Sequence, residues 1–206
     1  MLSKVNILRG YFIQNIDDET IGRVKDIYFD DRYWTVRYLV ANTGSWLTGR
    51  KVLISPCALV AVNADRSNVV ANLTKKQIEQ SNPEGEAWDY DLRSCHEVTG
   101  YGLQTEDGEI GHVKDFVIDD ETWEIRYLVV SPGNSWAGKK VLISPLWIER
   151  VNWGERKVFV NVDHESIKQS PEYTEVSLIT RDYEAGLYDH YHRKGYWADE
   201  LVNNRP

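Results

Sequence analysis

Along residues 34–41, WTVRYLVA, the side chains Trp34, Val36, Tyr38 and Val40 alternate with Thr35, Arg37, Leu39 and Ala41. A period of two puts successive residues on opposite faces of a sheet, so this run predicts a strand. Trp123, Ile125, Tyr127 and Val129 repeat the pattern. The runs just before, VKDIYFDD and VKDFVIDD, are β-branched and aromatic and end in Asp-Asp pairs. Such carboxylates favour turns by accepting from nearby backbone N–H groups, so a hairpin is predicted at the start of each run. Further strands are predicted over 51–55, 58–62 and 68–72, and again over 140–144, 147–151 and 157–162, with NADRSN and NWGERK as the turns before the last of each set.

The second set copies the first. IGRVKDIYFDDRYWTVRYLV at 21–40 recurs as IGHVKDFVIDDETWEIRYLV at 110–129, 89 residues later, with 12 of 20 positions identical. GRKVLISP at 49–56 recurs as GKKVLISP at 138–145 with the same offset. A colinear repeat of this length means one supersecondary unit used twice. Five or six short strands per copy fit a small sheet curled into a barrel, because closure hides strand edges; an open sandwich is the alternative.

Each copy ends in a short helix. Thr74 with Gln77 three residues on forms a capping box before Ile78, and Asp163 caps the matching helix. Pro, Gly and acids in SNPEGEAWDYD interrupt the strand pattern and mark a boundary. The expected organisation is a first domain over 1–82, a linker over 83–93, a second domain over 94–171 and a tail over 172–206. The tail has no counterpart in the first copy. In it Thr180 caps a helix whose Tyr183, Leu187 and Tyr191 form one apolar stripe at i, i+4 and i+8, with Gly195 expected to end it.

Composition narrows the function classes. No apolar run approaches the roughly 20 residues that cross a bilayer, so membrane insertion is not expected. The opening MLSKVNILRGYF has no long apolar core of a secretory signal, which makes the cytoplasm the expected compartment. A net charge of -8 sets the average field against a phosphate backbone, so direct nucleic-acid binding is not expected. Two cysteines, Cys57 and Cys95, make neither a disulfide framework nor a CxxC knuckle.

Candidate chemistry is sparse. Asp26, Asp30 and Asp31 with their twins Asp115, Asp119 and Asp120 lack the DxDxDG spacing of a calcium loop and are read as capping turns and strand ends. Gly22 and Gly111 are read as turn glycines of positive φ, with no phosphate-cradling motif around them. Ser55 and Ser144 each precede Pro, unlike the elbow of a nucleophilic serine. Asp189, His190 and His192 cluster, but residues two apart on a helix point in different directions, so no metal or other cofactor is expected. Trp46 and Trp136 fall in Gly- and Ser-containing loops, where a large aromatic either plugs the barrel end, the favoured reading, or stands out as a binding anchor. The candidate interface comprises these two with Tyr183, Leu187, Tyr191, Tyr196 and Trp197 of the tail.

The repeated IG.VKD...DD..W..RYLV, followed by W..GRKVLISP in the first copy and W.GKKVLISP in the second, resembles the PRC-barrel family, which takes its name from the cytoplasmic domain of the photosynthetic reaction-centre H subunit. Both copies match, and the layout of two such domains and a tail is similar to tandem PRC-barrel proteins of bacteria. The resemblance implies small β-barrels used for protein–protein contact and brings no catalytic residue set. No counterpart of the H subunit's membrane helix or of the N-terminal domain of ribosome maturation factors is expected, so neither specific role is carried over. The expectation is therefore a mainly β, non-enzymatic adaptor of two tandem barrels, acting on a protein partner or on itself, for instance as a homodimer. The alternatives are a metal- or small-ligand-binding protein using an inter-barrel cleft, enzymatic or not, and a peripheral component of a membrane complex.

Overall fold

Strands form where the alternation places them, with ends that fall within one or two residues of the expected ones. The computed structural model describes residues 1–81, 91–133, 139–174 and 178–198. The first repeat runs β1 (Leu2–Lys4), α1 (Val5–Leu8), β2 (Phe12–Asn15), β3 (Thr20–Asp30), β4 (Thr35–Asn42), β5 (Lys51–Ile54), β6 (Leu59–Asn63), β7 (Asn68–Ala71) and α2 (Lys75–Glu79). The second runs β8 (Leu92–Ser94), α3 (Cys95–Val98), β9 (Gly102–Thr105), β10 (Gly108–Asp119), β11 (Ile125–Pro132), β12 (Val141–Ile143), β13 (Ile148–Asn152), β14 (Lys157–Val160) and α4 (His164–Gln169). The tail adds α5 (Arg181–His190). The capping box at Thr74 and the Asp163 cap both form.

The strands make two seven-stranded sheets. One has the order β5-β4-β3-β2-β7-β6 and the other β12-β11-β10-β9-β14-β13. In each, the last strand lies parallel to the first long one, β7 on β2 and β14 on β9, which curls the sheet back on itself. The seventh strand is exchanged. β8, second-repeat by sequence, pairs with β3, and β1, first-repeat by sequence, pairs with β10. The two hairpin tips are also joined reciprocally: the Val36 N–H donates to the Trp123 carbonyl and the Ile125 N–H to the Trp34 carbonyl, both at 2.7 Å.

All of this exchange lies inside one compact unit, formed by Met1–Thr99 and Asp115–Leu128; the other unit is Gly100–Lys114 with Val129–Pro206. Of the linker expected over 83–93, residues 83–90 lie outside the described residues, and Leu92 and Arg93 already stand in β8. The expectation that each copy opens on a hairpin, here β3–β4 and β10–β11, missed β1 and β8 with their one-turn helices, and β2 and β9 after them. Three-residue strands are too short to show a period.

In the first unit Ile13, Ile21, Ile27, Leu39 and Val69 are wholly buried, and in the second Leu103, Val113, Val130, Leu142 and Val158. The alternation along β4 holds at its start, with Val36 buried and Arg37 exposed, and then stops: Leu39, Val40 and Ala41 are all buried. There β4 lies between β3 and β5 with both faces covered. Trp34 and Trp123 sit just before their strands in left-handed backbone, φ 54° and 61°, closing the turns while their rings stay buried.

Gly22 and Gly111 are not turn glycines. Both lie within strands, at irregular points where the register slips by one residue beside each of them or close by. A Cβ at Gly22 would collide with the Asn42 carbonyl, and one at Gly111 with the Ser131 carbonyl. What these positions require is the close approach of the next strand's backbone.

Candidate functional site

The repeated acids assemble the exchanged joint. Asp30 and Asp119 serve turns as expected: Asp30 Oδ1 accepts the Arg32 and Tyr33 N–H groups at 2.8 and 3.2 Å, and Asp119 Oδ1 accepts the Glu121 N–H at 3.1 Å. Burial works against ionisation at Asp30, but the Arg37 guanidinium at 2.9 Å and those backbone donors outweigh it and hold the carboxyl below its ordinary value.

Asp26 and Asp115 depart from the turn reading. They sit mid-strand and cap the helix of the opposite repeat: Asp26 accepts the Ser94 hydroxyl at 2.6 Å and the His96 N–H at 3.3 Å, and Asp115 accepts the Asn6 N–H at 3.0 Å. Each also accepts the next N–H of its own strand, Ile27 or Phe116, at 2.8 Å. Asp31 meets Arg93 of β8 at 2.9 Å, and Asp120 accepts the Ser3 hydroxyl of β1 at 3.3 Å. Burial raises the Asp31 carboxyl above its usual value, with Arg93 opposing it.

Ser55 and Ser144 cap the short turns that follow them, each accepting an N–H two residues on at 3.3 Å. Cys57 is exposed; Cys95 is buried, and its thiol is pushed well up by burial, with Asp26 and Asp115 adding to the effect. His190 Nε2 lies 2.7 Å from the Ser166 carbonyl, while His192 is exposed in left-handed backbone. Among the described residues no group of three or more His, Cys, Asp and Glu is placed to hold a metal.

The tail docks on its own unit. Thr180 caps α5 through the Tyr183 N–H, as expected, but the helix ends at His190 with Tyr191 as its cap, well short of Gly195. Leu187 is fully buried and Tyr191 packs on Trp147 with ring centroids 4.5 Å apart. Tyr183 is half-buried, and burial pushes its hydroxyl up to about 12. Beyond the helix the chain folds back: the Tyr196 hydroxyl donates to Glu184 at 2.8 Å, Trp197 packs edge-on to Tyr188 at 5.1 Å, and the Arg181 guanidinium lies 4.4 Å from the Trp197 ring centre. The hub is Trp147 with Tyr188, and Trp147 is absent from the aromatics that the sequence marks out. A signal existed: the residue aligned with Trp147 in the first repeat is Ala58, so a large aromatic replaces a small residue in the copy that carries a tail.

Trp46 lies in a short turn, half-buried, its Nε1–H held by the Ile21 carbonyl at 2.6 Å. It lines a cavity of about 730 Å³ in the first unit together with Phe12, Arg9, Arg23 and Lys25. Trp136 lies outside the described residues. A second hollow of about 690 Å³ runs beside β6, lined by Pro56, Cys57, Leu59, Val60 and residues of the second hairpin turn.

No helix among the described residues is long and apolar enough to cross a membrane. A comparison with curated proteins gives no match. The sequence profile of the PRC-barrel domain matches twice, over residues 3–78 and 91–167. Each match begins at an exchanged strand and ends at the short helix after the last strand. With two curled sheets of the expected type and both copies matched, the chain belongs to the PRC-barrel family, as two tandem barrels.

Proposed function

We propose that the protein is a non-enzymatic cytoplasmic adaptor that binds an extended segment of a protein partner, or of a second copy of itself, along the outer edge of β6. The observation that carries this reading is the state of that strand. β6 ends its sheet and, among the described residues, pairs only with β7; Val60 on it is 63% exposed, and the 690 Å³ hollow runs alongside. An open strand edge is a template for another chain, and a flanking hollow gives side chains a place to bind. The repeated acids favour the same reading, because they are engaged by turns, helix caps and the exchanged strands.

The test is capture from lysate together with light scattering of the pure protein, for wild type and Val60→Lys. A lysine on an exposed edge blunts strand pairing without disturbing the core. Loss of the captured partner, or of a dimer, in the variant supports the proposal; binding that persists unchanged, or a wild-type monomer that captures nothing, overturns it.

A further inference from the structure

We propose that the 730 Å³ cavity of the first repeat is a binding site for a small organic anion with a planar apolar body. The inference is independent of the β6 edge. The chain carries 32 acids against 24 basic residues, yet the cavity is lined by Arg9, Arg23 and Lys25 and by no Asp or Glu. The two arginines are held by neutral groups: Arg9 Nε donates to the Lys25 carbonyl at 3.1 Å, and Arg23 Nη1 to the Gly10 carbonyl at 3.0 Å. Backbone carbonyls fix a guanidinium in place without cancelling its charge, which leaves an oriented cation with further donors for a carboxylate, sulfonate or phosphate.

An apolar wall completes the site. The Arg23 guanidinium lies 3.7 Å from the Phe12 ring centre, Phe12 is 38% exposed, and Trp46 is pinned through its indole N–H. The volume falls within the range of roughly 300–1,000 Å³ usual for small-molecule sites, which are mostly apolar with a few placed polar groups.

The second repeat serves as an internal control. The hairpin of β9 and β10 is one residue shorter than that of β2 and β3, so the offset is 90 residues before its turn and 89 after it, and the strand register places Thr99, Gly102 and His112 where the first copy has Arg9, Phe12 and Arg23. The space of the Phe12 side chain is taken there by a carboxylate, since a Cβ added at Gly102 would come within 3.0 Å of Glu109 Oε2. His112 Nδ1 is 3.9 Å from the same Glu109 side chain. The same strands and bulge are built with opposite chemistry, so the fold does not require the basic, aromatic lining of the first copy.

The experiment is isothermal titration of the full chain with 1-naphthalenesulfonate and with its neutral relative 1-naphthalenemethanol, alongside Trp fluorescence. One equivalent of the sulfonate is expected to bind, about tenfold or more tighter than the alcohol, as a charge-assisted contact implies. Arg9→Ala/Arg23→Ala is expected to lose about tenfold or more of that affinity, and Trp46→Phe to lose the accompanying fluorescence change and weaken binding while keeping the preference for the sulfonate over the alcohol. Should the double variant fail to fold by circular dichroism, Arg23→Gln alone is read in the same way. Equal affinity for the two compounds, an affinity indifferent to the arginines, no binding, or preference for an acidic peptide over the sulfonate overturns the proposal.

Discussion

Asp115 is where the exchanged joint can be tested most sharply. It is 6% exposed, and its Oδ1 accepts two backbone N–H groups, one from Phe116 of its own strand and one from Asn6 at the start of α1. Asp115→Ala removes the acceptor of both bonds. The Phe116 bond is buried, so its donor is left without water as a replacement, at a cost of about 1–3 kcal/mol. The Asn6 bond is only partly buried, and its loss resembles that of a helix cap, about 1 kcal/mol. The expected destabilisation is about 3 kcal/mol, which at a urea slope of about 1–3 kcal/mol per molar lowers the midpoint by about 1 M or more. Hydrogen exchange should localise the damage, with amides of residues 2–8 losing protection first, because β1 and α1 lose the contact that seats them on β10. Asp115→Asn keeps an acceptor oxygen and should fall by less than half as much. A loss within about 0.5 kcal/mol for the Ala variant, or equal damage from Asn and Ala, would refute the reasoning.

Gly22→Ala and Gly111→Ala should each destabilise by about 1–3 kcal/mol in thermal unfolding, since the added methyl meets strand backbone that cannot give way. Trp147→Ala should cost about 3–5 kcal/mol and release the tail, read as faster proteolysis after Arg181, while Tyr188→Phe, which loses the 3.1 Å bond to Ser144, should cost about 1 kcal/mol. A thiol reagent should modify one cysteine in the native protein, the exposed Cys57, and a second, Cys95, only on unfolding. The Asp30 carboxyl titrates lower in the folded chain than in the unfolded one, so its contribution is present above the ordinary Asp value and is lost as pH falls through the depressed one. In acid unfolding, wild type should therefore lose stability relative to Asp30→Asn over that interval.

Much of this architecture was legible because it is periodic or duplicated. The hairpins at 21–40 and 110–129, the LISP strands, the capping box at Thr74 and the tail helix from Thr180 all announce themselves through alternation, repetition or a cap three residues from its partner. What stayed hidden is non-local. LSKVNIL and LRSCHEV are each a three-residue strand and one helical turn, and nothing local says that they trade partners. The same blindness affects Asp26 and Asp115, which look like turn acids until the opposite helix is in place. Gly22 reads as a turn glycine because the carbonyl it must clear belongs to Asn42, twenty residues away. The cavity was missed for another reason: Arg9, Phe12 and Arg23 are spread over α1's exit, β2 and β3, and only the sheet register brings Phe12 opposite Arg23.

The registers of the exchanged strands carry one more consequence. Lys4 stands opposite Val117 and Ser94 opposite Tyr28; Ser3 opposite Ile118 and Arg93 opposite Phe29; Leu2 opposite Asp119 and Leu92 opposite Asp30. With β8 offset from β1 by 90 residues and β10 from β3 by 89, these pairings coincide, so β1 has the length and register to occupy the place of β8 on β3. A fragment of residues 1–81 keeps β1 and β3 but cannot satisfy either within one molecule in the observed geometry. Two such fragments can, each lending β1 to the other's β3, with Asp26 accepting the Asn6 N–H as Asp115 does in the intact chain. The fragment is therefore expected to fold as a dimer by light scattering, to dissociate and unfold together on dilution, and to form a heterodimer when residues 91–206 are added. A folded monomeric fragment with protected amides at residues 2–4 would show that β1 can close on its own repeat, and that the exchange is a product of the linkage rather than a requirement of the barrel.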